Sequence, residues 1–206
     1  MTVPEMDAFA HEAQRIDHTL RDIDPQAWDR PALGEWNVAQ LVFHLVRQAD
    51  RLDAYRDRPV RAGEPAVDRL EYSRRAAELA GDVAARAITG AAGVDPATLP
   101  ALFSDAWQRS MKAATDPDAL IETVMGPMRT ADYAATRVVE LVVHHLDLRR
   151  ALDLPPDSDP AAARLVTDLL EDLLDGPRPR NLGRTRFILA ATGRIPHDDP
   201  RFPVLA

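Results

Sequence analysis

The 206-residue sequence contains no cysteine, a single lysine, few aromatic residues and no long apolar run, and each shortage narrows what the chain can do. Without thiols there is no disulfide framework, Cys-ligated zinc, iron–sulfur cluster or cysteine nucleophile, so any sulfur chemistry must use a thiol from outside. Lys112 is the only lysine; the other basic residues are arginine and alanine is abundant, which looks like the codon usage of a GC-rich genome. Acidic residues outnumber lysine plus arginine 33 to 25, a net charge of −8, which opposes an extended phosphate-binding surface, so nucleic acid is not an expected partner. No apolar run approaches the ~20 residues of a membrane span. The first ten residues carry neither a basic nor an apolar leader segment, so the expected location is the cytoplasm, away from the membrane. A hydrophobic fraction of 46% in a chain of this length is a globular balance. Such a chain buries roughly 70% of its unfolded surface without a covalent staple.

Periodicity makes most of the chain helical. Met6, Phe9, Ala13, Ile16, Leu20 and Ile23 recur every three or four residues after Thr2-Val3-Pro4-Glu5, which has capping-box spacing, and predict a helix to about Asp24. His11 and His18 fall off its apolar stripe and read as solvated. A loop from Asp24 to Gly34 leads to Asn37, which can cap a second helix along Val38, Leu41, Val42, Leu45, Val46, Ala49 and Leu52, ending before Pro59. A weaker third pattern spans Ala66 to Ile88. A fourth begins at Asp95-Pro96 and stops at Asp116-Pro117. Ile121 to Arg129 reads as a short extended hairpin or loop, after which Thr130 can cap a helix to about Leu152. Asp159-Pro160 opens another, closed by Gly176-Pro177, and Thr185 to Thr192 forms a last short helix with Gly193 as its stop. The expected fold is all-α: a four-helix bundle over residues 1–154, with a short extended link and a small helical C-terminal extension over residues 155–206. Leucines of the 160–175 helix either pack on that bundle or supply the seam of a homodimer. Arg178, Arg180, Arg184 and Arg186 read as a solvated basic loop.

The 130–152 helix carries the chemistry. Its apolar residues cover well over half the circumference, leaving one narrow polar line of Arg137, Glu140, His144 and Asp147. Glu140 and His144, one turn apart, can aim a carboxylate and an imidazole at one point. On spacing alone the line is equally a solvent face. His44, at the edge of the apolar face of the second helix, is placed to reach into a groove between helices. Two histidines and a carboxylate make a zinc-type donor set with a coordination position left open, and the same set can hold ferrous iron, nickel or manganese. Asp147 either accepts the other ring N–H of a ligating histidine or is an ordinary surface acid. His145, within the apolar arc, reads as a hydrogen-bonded core histidine. Arg137 either meets an anionic ligand or pairs with Glu140 or another acid.

The string Trp36-Asn37-Val38-Ala39-Gln40-Leu41-Val42-Phe43-His44-Leu45 resembles the tryptophan-to-histidine motif of DinB-like metal-binding bundles. Gly126-Pro127-Met128, followed by Tyr133 and by Arg137 through Asp147, resembles its partner in the mycothiol-dependent maleylpyruvate isomerase branch. The resemblance covers about residues 1–154. It implies that His44, Glu140 and His144 are the metal ligands, with zinc the first choice. It also implies that a divalent metal activates mycothiol, a low-molecular-weight thiol, as a thiolate for isomerisation of, or transfer to, a small electrophile. Related bundles use bacillithiol or glutathione. The resembled isomerase carries a larger mixed α/β C-terminal domain, whereas this chain has only about 50 residues there, and they read as helical. Arg194, in Ala190-Ala191-Thr192-Gly193-Arg194, is either a contact for substrate or thiol or a surface arginine. Two other functions fit the same residues: a metal-dependent small-molecule hydrolase using a metal-activated water, and a bundle that binds metal without catalysis.

Overall fold

A computed structural model describes residues 3–76 and 87–205. Helix α1 (Pro4–Arg21) starts on Val3, without a side-chain cap; the predicted cap Thr2 lies outside the described residues. A short hairpin follows, β1 (Pro31–Leu33) paired antiparallel with β2 (Trp36–Asn37), where the sequence suggested only a loop. Asn37 then opens α2 (Val38–Ala49) with the reciprocal capping box its spacing promised: its side chain accepts from the Gln40 amide, and the Gln40 side chain accepts from the Asn37 amide. The predicted long second helix is broken at Asp50, and α3 (Arg51–Arg56) continues from it. Of the 66–88 expectation, α4 (Arg69–Ala76) and residues 87–91 are helical, and residues 77–86 lie outside the described residues. Asp95 caps a single 3-10 turn leading into α5 (Leu99–Ala113).

The extended link is a hairpin, β3 (Leu120–Thr123) with β4 (Gly126–Arg129). Its turn is held by Thr123, whose hydroxyl accepts the Met125 amide and donates to the Gly126 carbonyl. Gly126 has φ +120°, a conformation open to glycine and strained for any side chain. Helix α6 (Thr130–Ala151) follows; Thr130 is its first residue rather than its cap, and its hydroxyl bonds back to the Ala119 carbonyl. Asp159 and Pro160 start α7 (Pro160–Leu174) as expected, and α8 (Arg184–Ala191) ends before Gly193.

Helices α1, α2, α5 and α6 form the bundle: α6 packs on α1 and α2, and α5 closes the ring against both. From Tyr133 to Leu148 every residue of α6 except Glu140 is buried, because α7 also covers the helix, as do the β1 strand and α4 on other sides. Leu169, Leu170 and Leu174 of α7 are buried in the common core, so these leucines pack on the bundle. A polar knot ties the same elements: His145 Nδ1–H donates to Glu12 Oε1 at 2.6 Å, its Nε2 lies 3.0 Å from the Thr19 hydroxyl, and Glu12 Oε2 accepts the Asp159 amide. His145 is thus the hydrogen-bonded core histidine the helical wheel suggested. His11 and His18 are exposed. Arg180 and Arg186 are exposed as expected of a solvated loop, whereas Arg178 and Arg184 are half-buried. No helix among the described residues is long and apolar enough to cross a membrane.

Candidate metal centre

The polar line of α6 does not face solvent. Arg137, His144 and Asp147 are buried, and the Glu140 side chain retains 30% exposure, because the line opens onto a cavity of about 940 Å³ rather than the surface. His44 of α2 lines the same cavity. His44, Glu140 and His144 each offer a donor atom within 4.8 Å of the others. Glu140 Oε2 lies 3.2 Å from His44 Nε2 and 3.4 Å from His144 Nε2. The two imidazoles meet edge to face, with centroids 4.7 Å apart. Trp36, delivered by the β1–β2 hairpin, packs against both rings at 5.0 and 6.2 Å.

Hydrogen bonding fixes how the two rings are turned. Asp147 Oδ2 accepts from His144 Nδ1–H at 3.2 Å, which turns His144 Nε2 toward Glu140. Asp147 is fully buried and anchored in turn by Arg194, whose Nη2 lies 3.1 Å from Oδ2, and by Arg150 at 3.3 Å. Arg194 is therefore not a free surface arginine; it lines the cavity and reaches the donor set through this carboxylate. On the other side, the Gln48 amide nitrogen lies 3.0 Å from His44 Nε2, the same atom that faces Glu140. In the metal-free site a ring proton can bridge each Nε2 to Glu140 Oε2, and a divalent cation bound there would take the place of those protons. Two imidazole nitrogens, one carboxylate and an adjoining cavity fit zinc and the other borderline divalent ions.

The two rings of the metal-free site shift in opposite directions, His44 toward the neutral form and His144 toward the protonated one. Burial lowers the His44 pKa, with the Glu140 hydrogen bond opposing, and the net direction is down, toward the neutral ring a ligand needs. Burial would raise the Glu140 pKa, but hydrogen bonds from His144 and His44 and the charge of Arg137 hold it well below the usual carboxylate range. Burial would lower the His144 pKa and raise that of Asp147. Their mutual hydrogen bond, with Glu140 helping the one and Arg194 the other, reverses both directions.

Arg137 does not pair with Glu140. Its guanidinium bonds to Gln48 Oε1, to the Tyr72 hydroxyl at 3.3 Å and to Thr136, and it stacks over the Tyr133 ring at 4.7 Å. Sequence reasoning passed over Gln48, although its place one turn after His44 puts both on one face of α2. It also passed over Tyr55 and Tyr72, which line the cavity with the motif residue Tyr133 and with Val124 and Met125 of the β3–β4 turn. Thr192, Arg194 and Leu205 of the C-terminal extension complete the wall.

The sequence profile of the mycothiol maleylpyruvate isomerase N-terminal domain matches residues 9–149, more than half of the chain. The chain belongs to this family. Two crystal structures share its fold, both of the mycothiol-dependent maleylpyruvate isomerase. The first has a TM-score of 0.55 and 14% identity over 84% of this chain and 72% of that one. The second, a histidine-to-alanine mutant, has a TM-score of 0.55, 13% identity and the same coverage. No curated protein matches the chain significantly. The all-α architecture is thus the DinB-like bundle of the maleylpyruvate isomerase family. All three donors, Arg137 and Asp147 lie inside the stretch that the family profile matches, and Thr192, Arg194 and Leu205 lie beyond it.

Proposed function

We propose that the chain is a divalent-metal-dependent thiol enzyme. It would activate mycothiol as a thiolate, for isomerisation of a small electrophile or for transfer of the thiol to it. The observation that carries this reading is the convergent set of two imidazoles and a carboxylate, His44, Glu140 and His144, at the wall of a cavity large enough for a thiol and a substrate together. Membership of a mycothiol-dependent family points to the thiol, and a chain without cysteine must take its sulfur from outside. The metal, zinc in the first instance, would supply Lewis acidity that lowers the pKa of the thiol.

The chain's own residues do the rest. Asp147, held by Arg194, keeps His144 in the tautomer whose Nε2 faces the centre, and Trp36 fixes the planes of both rings. Arg137 adds a buried positive charge beside Glu140, favouring negative charge in the cavity. In the isomerisation, the sulfur forms a bond to one carbon of an electron-poor cis double bond, and the π pair moves onto the activating carbonyl. Rotation about the resulting single bond and expulsion of the same sulfur restore the double bond in the trans form and return the thiolate. In the transfer, the adduct takes a proton and the carbon–sulfur bond stays. Residues 1–154 would carry the donor set, and residues 155–206 the wall formed by Thr192, Arg194 and Leu205. The expected setting is the cytoplasm, where small thiols are kept reduced.

Calorimetric titration of mycothiol into the zinc-loaded protein tests the reading. Binding that disappears in chelator-stripped protein is expected, and equal binding in the two forms would overturn it. Turnover of ester or amide substrates without any thiol would favour a hydrolase instead.

A further inference from the structure

The carboxamide of Gln48 is built into the site, yet the donor set leaves it without a task. Its side chain is buried at the cavity wall, one turn after His44 on the same face of α2. Donor logic fixes its orientation. A guanidinium has only N–H groups and no acceptor, so the atom that faces Arg137 Nη1 must be Gln48 Oε1. The amide nitrogen is thereby turned the other way, to 3.0 Å from His44 Nε2. Arg137 cannot easily swing off, since Tyr72 and Thr136 accept its remaining N–H groups and Tyr133 lies under its plane.

We propose that Gln48 donates an N–H hydrogen bond to the sulfur of the thiol entering beside His44, Glu140 and His144, with Arg137 as the positioning residue that keeps the amide turned inward. The proposal rests on the thiol-enzyme reading above. His44 Nε2 has one lone pair, and once that pair is given to a cation it no longer accepts from Gln48. The N–H is then released next to the donor set, on the cavity side. A donor beside sulfur favours the thiolate over the thiol, because a charged acceptor takes a stronger hydrogen bond than a neutral one. The proton lost by the thiol leaves to water. The buried guanidinium on the far end of the amide polarises the N–H and strengthens the effect.

Cobalt(II)-loaded, untagged protein with mycothiol as the probe gives the test. Because the chain has no cysteine, a sulfur-to-cobalt charge-transfer band reports the added thiol alone. The pH at which the band is half developed measures how readily the thiol ionises in the site. Gln48→Met, close in size but without a donor, should raise that midpoint by about one pH unit, a tenfold change in ionisation. Arg137→Met should do the same, with cobalt affinity in Gln48→Met altered by less than about threefold. A wild-type midpoint in Gln48→Met that still binds cobalt would overturn the role of the amide. A raised midpoint in Gln48→Met with a normal one in Arg137→Met would overturn the positioning role. If the wild type binds cobalt and shows no band with mycothiol, the thiol reading falls and this inference with it.

Discussion

Asp147 shows how one residue can be placed by its spacing and understood only through its neighbours. Its position one turn past His144 made it a candidate acceptor, and the same position on a solvated face would make it an ordinary surface acid. What decides is burial, which comes from elements far away in sequence: the β3–β4 turn and the 192–205 segment close the cavity over the polar line of α6. Asp147→Asn should therefore keep the fold and weaken zinc binding by roughly 10–100-fold, because an amide can turn its N–H toward His144 Nδ1 and loosen the ring. A chelator competition titration measures this, and unchanged affinity would show that the carboxylate is only structural. His44, Glu140 and His144 were legible because helical spacing and residue chemistry point the same way. Gln48 was not, since an amide carries no charge or ligand signature, and only its contacts with Arg137 and His44 give it meaning.

Among the elements, helices with strong periodicity and side-chain caps were read directly. Asn37 before α2 and Asp159-Pro160 before α7 sit where the sequence put them. The β1–β2 hairpin was missed because β2 is only two residues long and shows no alternation, yet it delivers Trp36 to the two imidazoles. Thr130 has the right chemistry for a cap, but the chain enters α6 from a strand and the hydroxyl bonds to Ala119 instead. The join between α1, α6 and α7 runs through Glu12 and His145, both without solvent contact. Glu12→Ala should destabilise the protein by about 3 kcal/mol, since it leaves a buried imidazole and the Asp159 amide without their acceptor. Denaturant unfolding measures the loss, and a change below about 0.5 kcal/mol, the range of a neutral surface substitution, would contradict the role. The β3 strand is tied to residue 61 by Glu122, which accepts from the Arg61 side chain at 2.7 Å and from its backbone amide at 3.0 Å. Those bonds hold the carboxyl below its ordinary value of 4.5 against partial burial. A depressed carboxylate contributes stability that is present above its unfolded pKa and lost as the pH falls through the folded one. Glu122→Gln should thus melt earlier than wild type at pH 7, and the gap should narrow once the pH drops below 4.5. A gap that is constant with pH in thermal scans would assign the effect to packing instead.

At the scale of the whole molecule, the bundle packs α2 against α6, far apart in the chain, beside a cavity that both line, and the C-terminal extension finishes its wall. The bundle and its extension were legible from periodicity, and the motif resemblance pointed to the family that the profile match then established. The cavity was not legible, because its shape depends on how hairpins and tail settle over the bundle rather than on any local pattern. The proposed chemistry requires His44, Glu140 and His144 to take one cation together. The direct measurement is elemental analysis with calorimetric zinc titration of untagged, chelator-stripped protein, alongside His44→Ala. One zinc per chain in the wild type, with binding abolished or weakened by orders of magnitude in His44→Ala, is the expected result. No stoichiometric zinc in the wild type, or equal zinc affinity in His44→Ala, would contradict it.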